Sequence, residues 1–350
     1  MSNAVMRGMS FGFLAKRDYF RSREGLAQPA KMADLGIDWV ALNITVIQKT
    51  VFDTRMYQDY EYSPDDRELE GIVREFQKRK IKVMLKPMIE CLDGAWRGSI
   101  IMPEAPGLIE GRKTDYRGSW FESLTHSLTH FGRLGTELGC EMFCLGCELD
   151  GVEKLNSYWS PVVDAVREVY KGALSYDTTL WALDKGAPKW FDQLDNVQVS
   201  FYPCLGDTSH LPGTGTKMLD RSDRSPESVA EMTKNLAKRV SEMRALAEKV
   251  GKPLVFGECG CRSRAGACGN PADWRLPGVY DGEEQAKFFD AVLGSFWDES
   301  WWQGLFVWKW DEQQLRAHYR TDTRGDMGFI VDGKPAAETL KRWYTRTDRR

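Results

Sequence analysis

The 350-residue sequence has little excess charge, few histidines and no long apolar run. Its net charge is −3, so it lacks the basic surface that nucleic-acid binding requires. No apolar stretch approaches the ~20 residues needed to cross a bilayer, and no signal-peptide pattern opens the chain. The four histidines form no ligand cluster, and the sequence between His126 and His130 is not that of a zinc protease. We therefore expect neither a nucleic-acid partner nor a membrane partner, and no metal or organic cofactor.

The eight cysteines lie mostly within apolar, strand-like segments. A chain of this length can bury a large core without disulfides, so we interpret them as reduced core thiols. With the missing signal peptide they predict a cytoplasmic protein, and secretion is the alternative if a leader has been removed. We predict a tag or disordered N-terminus at residues 1–8 and a single catalytic domain at residues 9–345. The sequence leaves the oligomeric state open.

Apolar segments of strand length alternate with segments of helical periodicity along the chain. This alternation predicts parallel βα units, and eight units favour an α/β fold of the closed (β/α)8, or TIM barrel, type. The predicted strands are Met9–Ala15, Trp39–Ile47, Ile81–Met88, Glu141–Glu148, one within Leu174–Leu183, Asn196–Tyr202, one from Leu254, and Gly304–Trp310. The predicted helices are Gly25–Leu35, one opening at Ser63, Trp120–Leu138, Tyr158–Lys171, Ser225–Val250, Gly282–Trp297 and Pro335–Tyr344.

Two glutamates stand where predicted strands end: Glu148 closes the fourth strand and Glu258 follows the seventh. The carboxyl ends of the strands form the active face of a TIM barrel, and side-chain alternation places each glutamate after an inward apolar series. Two such carboxylates can hydrolyse a glycoside, one donating a proton and the other attacking the anomeric carbon. A separation of about 5–5.5 Å predicts net retention. A structural role for one or both glutamates is the alternative.

The sequence contains 13 Trp, 12 Tyr and 16 Phe, and tryptophan faces are common platforms for sugar rings. Tyr202 ends the sixth strand, where its hydroxyl would orient Glu258. Trp308 ends the eighth strand, where its indole would floor the subsite of the reacting sugar. For each aromatic residue, packing in the core is the alternative. The other predicted substrate-binding residues are Trp310, Trp96 in the loop after the third strand, and Lys86 and Asn43, which would hydrogen-bond to hydroxyls.

Cys144 and Cys147 form a C-x-x-C motif, a spacing also found at zinc and redox sites. In a regular strand, residues three apart point to opposite faces, and no helix N-terminus follows to lower a thiol pKa. We therefore disfavour both functions. A non-catalytic carbohydrate-binding barrel is a further alternative, but a binding protein would not need two strand-end glutamates.

Five motifs together resemble clan A glycoside hydrolases, and more narrowly glycoside hydrolase family 113, from about Phe11 to Tyr344. They are Val83-Met-Leu-Lys-Pro87, Phe143-Cys-Leu-Gly-Cys-Glu-Leu149, Phe201-Tyr-Pro203, Phe256-Gly-Glu-Cys-Gly-Cys-Arg-Ser263 and Trp308-Lys-Trp310. The resemblance implies a (β/α)8 barrel with mainly endo-β-1,4-mannanase activity. It implies Glu148 as the acid/base, Glu258 as the nucleophile, and supporting roles for Tyr202 and Trp308.

Three residues depart from the pattern of these families. Cys147 stands where clan A enzymes usually have Asn, Met88 where family members often have His, and Gly257 where Thr is commoner. We predict retaining hydrolysis of β-linked mannan, glucomannan or manno-oligosaccharides. Because the departures surround the reacting sugar, a β-glucoside, a β-galactoside or xylan is the alternative substrate. The sequence does not distinguish endo from exo action.

Overall fold

The computed structural model describes residues 5–104, 107–109, 112–206, 228–274, 278–310 and 326–347. These residues form eleven strands and eight α-helices. The strands are β1 Met6–Phe11, β2 Trp39–Gln48, β3 Met56–Tyr57, β4 Lys82–Cys91, β5 Gly107–Ile109, β6 Arg112–Thr114, β7 Met142–Cys147, β8 Ala173–Thr179, β9 Val197–Ser200, β10 Leu254–Cys259 and β11 Trp302–Val307. The helices are α1 Arg23–Asp34, α2 Asp66–Lys78, α3 Tyr116–Leu138, α4 Asn156–Val169, α5 Leu180–Asp184, α6 Val229–Val250, α7 Gly282–Phe296 and α8 Pro335–Tyr344.

The chain divides into two compact units. The first comprises Met1–Phe11, Ala30–Asp38 and Phe201–Arg350, and the second comprises Gly12–Pro29 and Trp39–Ser200. In the second unit β2, β4, β7, β8 and β9 run parallel in that order, β3 is antiparallel to β2, and β5 and β6 form a hairpin. In the first unit β11 lies between β1 and β10, with all three parallel. The eight parallel strands alternate with helices in the predicted (β/α)8 fold.

The parallel strands are covered on both faces, which explains their near-continuous apolar sequences. Every residue of β2, β7, β9 and β10 is buried. Outside β7 and β8 an aromatic cluster fills the space beneath α4, where Trp159 stacks on Trp190 at a centroid distance of 4.5 Å. Both rings also meet Tyr176 of β8 edge-on, so this cluster anchors β8 against the surrounding helical layer.

Several element ends differ from the predictions. β1 begins at Met6 and ends at Phe11, so the predicted disordered segment of residues 1–8 extends too far and the predicted first strand starts and ends too late. The described part of α6 is capped by Ser228, whereas Ser225, its predicted start, lies outside the described residues. The short strands β3, β5 and β6 were not predicted, because two or three residues carry no recognisable period.

The sequence predicted that this helix opens at Ser63, but the N-cap of α2 is Asp65. Asp65 accepts a hydrogen bond from the Glu68 N–H at 2.9 Å, and Glu68 accepts one from the Asp65 N–H at 3.1 Å, which completes a capping box. The Ser63 hydroxyl instead donates to the Thr45 carbonyl at 2.7 Å. Two reciprocal hydrogen bonds therefore start the helix two residues later than predicted.

None of the eight cysteines, all of which lie in the described ranges, takes part in a disulfide bond. Seven are buried as expected, but Cys204 is exposed, so the interpretation as a core thiol is wrong for that residue. Within the described ranges, no helix combines the length and apolarity needed to cross a bilayer.

Glu153 is a buried carboxyl group that sequence reasoning did not single out. Its side chain is fully buried, and its Oε2 accepts a hydrogen bond from the Thr178 hydroxyl at 2.6 Å. Burial, which disfavours the charged form, raises the pKa of Glu153 from 4.5 to about 7. The folded protein therefore holds this proton at pH values where the unfolded chain releases it.

Replacement of Glu153 by Gln tests this coupling between pH and stability. Because the pKa of Glu153 is higher in the folded state, its contribution to the free energy of unfolding is complete below pH 4.5 and is lost as the pH rises through about 7. Glu153→Gln removes the titration, so its stability relative to the wild type should increase from pH 5 to pH 8 by up to about 3 kcal/mol. Thermal unfolding followed by circular dichroism measures this change. Glu122→Gln, at an exposed position of α3, is the control, and a difference that does not vary with pH would contradict the assignment.

Candidate active site

Glu148 follows an irregularity at the end of β7. Cys144 pairs with Ser175 and Cys147 pairs with Asp177, so three steps along β7 match two along β8. Such bulges are frequent beside active sites, where they redirect a side chain. Glu148 itself has a φ of 53°, in the left-handed region that non-glycine residues rarely adopt, and its N–H donates to the Asp177 carbonyl at 2.8 Å. Strain of this kind is often retained at functional positions.

The Glu148 side chain is held by two donors from the loop after β4. Its Oε2 accepts hydrogen bonds from Trp96 Nε1 and Arg97 Nη1, both at 3.1 Å. Arg97 is buried, and it also bonds to the Ile89 carbonyl and the Glu90 carboxylate. The Glu148 side chain keeps 13% of its surface exposed, so it is both fixed in position and accessible to a substrate.

Glu258 also lies at a bulge. Phe256 pairs with Leu305 and Cys259 pairs with Val307, so β10 carries an extra residue at Gly257–Glu258. In β10, as in β7, the bulge therefore lies beside the glutamate at the end of the strand.

The Glu258 side chain is buried and accepts a hydrogen bond at Oε2 from the Tyr202 hydroxyl at 2.9 Å. Its carbonyl accepts from the Phe201 N–H at 2.7 Å, which brings the segment after β9 beside the end of β10. The edge of the Tyr202 ring meets Phe329 at a centroid distance of 6.3 Å. The hydrogen bond that the sequence predicted between Tyr202 and Glu258 is therefore present, while the catalytic role of Glu258 stays a prediction.

Trp308 and Trp310 follow β11 and are both largely buried. The Trp308 N–H donates to the Cys259 carbonyl at 2.8 Å, and the Trp310 N–H donates to the Ser10 carbonyl at 3.0 Å. A Cβ atom on Gly260 would lie 2.2 Å from the Trp308 carbonyl oxygen, so only glycine fits there. The segment after β11 is thus packed tightly beside β10, and contact of either tryptophan with a sugar stays a prediction.

Lys86 of β4 and Asp177 of β8 form an ion pair at 2.6 Å with no exposed surface on either side chain. The Asp177 carboxylate also accepts hydrogen bonds from the Ser200 hydroxyl at 3.3 Å and the Cys147 thiol at 3.7 Å. Sequence reasoning did not single out Asp177, although a charged residue within a predicted strand was the available signal. Lys86 and Asn43 are both buried, and their predicted contact with sugar hydroxyls stays a prediction.

The bulge in β7 also corrects the reasoning about the C-x-x-C motif. Cys144 and Cys147 pair with Ser175 and Asp177, which are two residues apart and lie on one face of β8. The premise that the two thiols point to opposite faces is therefore wrong, because alternation fails where an extra residue is inserted. Burial raises the pKa of Cys144 to about 11, which disfavours the thiolate that zinc binding and redox chemistry require.

The sequence model of Glycoside Hydrolase Family 113 matches residues 9–334 of this chain. The chain belongs to glycoside hydrolase family 113. It is therefore an enzyme, and the five motifs noted in its sequence lie within the matched region. No curated protein matches the chain.

Solved structures agree with this membership. A complex of a GH113 β-1,4-mannanase is 25% identical, covers 98% of this chain and 100% of its own, and has a TM-score of 0.81. The GH113 β-mannanase AaManA from Alicyclobacillus acidocaldarius, in complex with ManMIm, is 26% identical with 98% and 97% coverage and the same TM-score. A family 5 mannosidase from Rhizomucor miehei, 13% identical with 97% and 92% coverage, has a TM-score of 0.60 and shows the fold alone. The (β/α)8 prediction is confirmed.

Tyr202→Phe tests the hydrogen bond to Glu258 in this family 113 enzyme. A hydrogen bond to a charged group contributes about 1.5–3 kcal/mol, so kcat/KM should fall roughly 10–100-fold while the fold is retained. Steady-state kinetics with an activated aryl glycoside measure the loss. Tyr158→Phe, on α4 where the ring stacks on Phe121, is the control. Equal activity of the two variants would show that the Tyr202 hydroxyl does not assist Glu258.

Lys86→Met tests the buried ion pair. Removal of one partner leaves an uncompensated buried charge, so the free energy of unfolding should fall by about 3–5 kcal/mol. The double variant Lys86→Met/Asp177→Leu should recover much of this loss, because no unpaired charge remains. Urea unfolding of both variants gives the values. Arg74→Met, which breaks an exposed pair with Glu70, should cost less than about 1 kcal/mol. A similarly small cost for Lys86→Met would rule out the ion pair as a stabilising contact.

Proposed function

We propose that this enzyme cleaves β-linked mannan, glucomannan or manno-oligosaccharides with net retention. The observation that carries the proposal is the family match over residues 9–334, with Glu148 and Glu258 at the ends of the fourth and seventh parallel strands. The GH113 structures with similar folds are β-mannanases, which supports mannose as the sugar. We also propose a cytoplasmic location, on the basis of the reduced cysteines.

In the first step, a Glu258 carboxylate oxygen attacks the anomeric carbon while the bond to the leaving oxygen breaks. Glu148 donates its proton to that oxygen, and the products are a glycosyl ester on Glu258 and a free leaving group. The Tyr202 hydroxyl holds Glu258 Oε2, which limits rotation of the nucleophile before attack. Hydrogen bonding and burial thus orient Glu258 for one geometry.

In the second step, Glu148 takes a proton from water as the water oxygen attacks the anomeric carbon. The ester bond breaks, Glu258 is released as a carboxylate, and two inversions give net retention. Glu148 must accept a proton in this step, and the N–H donors of Trp96 and Arg97 stabilise its carboxylate form. The same side chain therefore serves as an acid and then as a base.

Three residues differ from the family pattern, and they bear on which sugar the enzyme accepts. Cys147 donates to Asp177 and is buried, as is Met88, while Gly257 lies within the β10 bulge. A thiol at position 147 does not offer the amide hydrogen bonds of the usual Asn. Hydrolysis of a panel of aryl β-glycosides and β-linked oligosaccharides, with analysis of the products, tests the sugar, and preference for a glucoside, galactoside or xylan would overturn the mannan assignment.

Glu258→Ala and Glu148→Ala separate the two catalytic roles. Loss of the nucleophile should lower kcat by about 10⁴-fold or more on every substrate. Loss of the acid should slow substrates with poor leaving groups most, and added azide should restore turnover of Glu148→Ala on activated substrates and yield a β-glycosyl azide. Rates and product stereochemistry by NMR are the measurements. Glu283→Ala, an exposed acid on α7, is the control. Retained activity in Glu258→Ala, or equal losses across leaving groups in Glu148→Ala, would contradict these roles.

A further inference from the structure

Most exposed large apolar side chains of the described residues belong to the second unit. Seven of these nine lie there: Phe52, Tyr57, Tyr60, Leu92, Trp96, Ile101 and Trp181. Every one of the seven comes from a segment that follows the carboxyl end of β2, β4 or β8. Single exposed apolar residues are ordinary, but a set confined to the active face of a barrel indicates a binding surface.

Two of these residues, Trp96 and Trp181, form a tryptophan pair with a centroid distance of 5.7 Å and an interplanar angle of 61°. Each indole N–H donates to a carboxylate: Trp96 to Glu148 at 3.1 Å, and Trp181 to Asp150 Oδ2 at 2.6 Å. The Thr179 hydroxyl donates to the same Asp150 oxygen at 2.6 Å, which fixes that acceptor. Both rings are thus held by their edges, while 40% and 52% of their surfaces stay exposed.

We propose that the tryptophan pair binds the sugar units on the leaving-group side of the scissile bond. The inference rests on the proposed function, in which Glu148 protonates the leaving oxygen. A group that touches Glu148 therefore lies beside the leaving part of the substrate. Rigid indole rings offer large apolar faces at little entropic cost, and the apolar faces of pyranose rings fit them. Trp181 extends this surface from Trp96 towards Asp150, where a second leaving-group sugar would lie.

This placement implies a substrate that continues as a sugar chain on the leaving-group side. An enzyme that accepted any leaving group would gain nothing from a platform on that side. With the tryptophan pair occupied, binding energy from the leaving-group sugars lowers the barrier for the bond between them and the bound donor. The substrate class is therefore a β-linked oligosaccharide or polysaccharide with at least two sugars beyond the scissile bond.

The test compares Trp181→Ala with the wild type on two donors that share the reacting sugars. Mannohexaose places sugars on the leaving-group side, whereas β-mannobiosyl fluoride leaves only fluoride there. We expect kcat/KM to fall about tenfold on mannohexaose, equivalent to about 1.4 kcal/mol, and by less than about twofold on the fluoride. The cleavage position in mannohexaose should also shift, so that shorter fragments leave. Trp181→Phe, which keeps an aromatic face, should lose less activity than Trp181→Ala.

Trp343→Ala is the matched control, because its indole N–H also donates to an aspartate, Asp290, on a surface helix pair. An equal loss on both donors, or no loss on mannohexaose, would overturn the inference. Circular dichroism of Trp181→Ala distinguishes a lost binding surface from a lost fold, and in the latter case Trp181→Phe decides. Failure of the wild type on all mannose donors would instead contradict the proposed function. The same comparison would then use the cleaved glycan and its glycosyl fluoride, because the argument depends on Glu148 and not on the sugar.

Discussion

The buried ion pair between Lys86 and Asp177 constrains the part of the structure around Glu148. Two charges without solvent contact are tolerated only when they remain close and well hydrogen-bonded, so β4 and β8 must keep one register with β7 between them. Asp177 acts through both its side chain and its backbone, because its carbonyl accepts the Glu148 N–H at 2.8 Å. The residue that compensates the lysine charge therefore also positions the candidate acid/base.

The same arrangement explains why the positions of the two glutamates were predictable and their local geometry was not. Apolar runs followed by glycine-rich segments show where strands end, and strand ends define the active face. The extra residue in β7, between Cys144 and Cys147, is defined by how β7 pairs with β8. The alternation of apolar and polar residues in a sequence does not show which residues of two strands pair. Side-chain alternation therefore placed Glu148 at the end of β7 on a premise that does not hold across the bulge. The same premise gave the wrong prediction that the Cys144 and Cys147 side chains point to opposite faces.

Elements covered on both faces were the easiest to predict. β2 and β4 appear in the sequence as long apolar runs because helices and neighbouring strands bury both of their faces. Short strands such as β3 pair through two residues and leave no pattern. The contacts of polar residues inside strands were harder to predict. The sequence shows that Lys86 is an unusual residue for a buried strand, but it does not show that Asp177 is its ion-pair partner. The predicted hydrogen bond from Tyr202 to Glu258 is present because the preceding residue, Phe201, bonds through its N–H to the Glu258 carbonyl and so holds Tyr202 nearby.

The two donors to Glu148 differ in exposure, and this difference suits the change of protonation state that we propose for Glu148. Arg97 is buried and bound at three acceptors, so its position beside Glu148 is fixed by the surrounding structure. Trp96 is partly exposed, so the ring that makes the second contact is accessible from solvent. In the proposed mechanism, the fixed donor would stabilise the carboxylate that deprotonates water, and the accessible donor would lie beside the leaving group. The acid and base roles proposed for Glu148 are thus matched by one buried donor and one exposed donor.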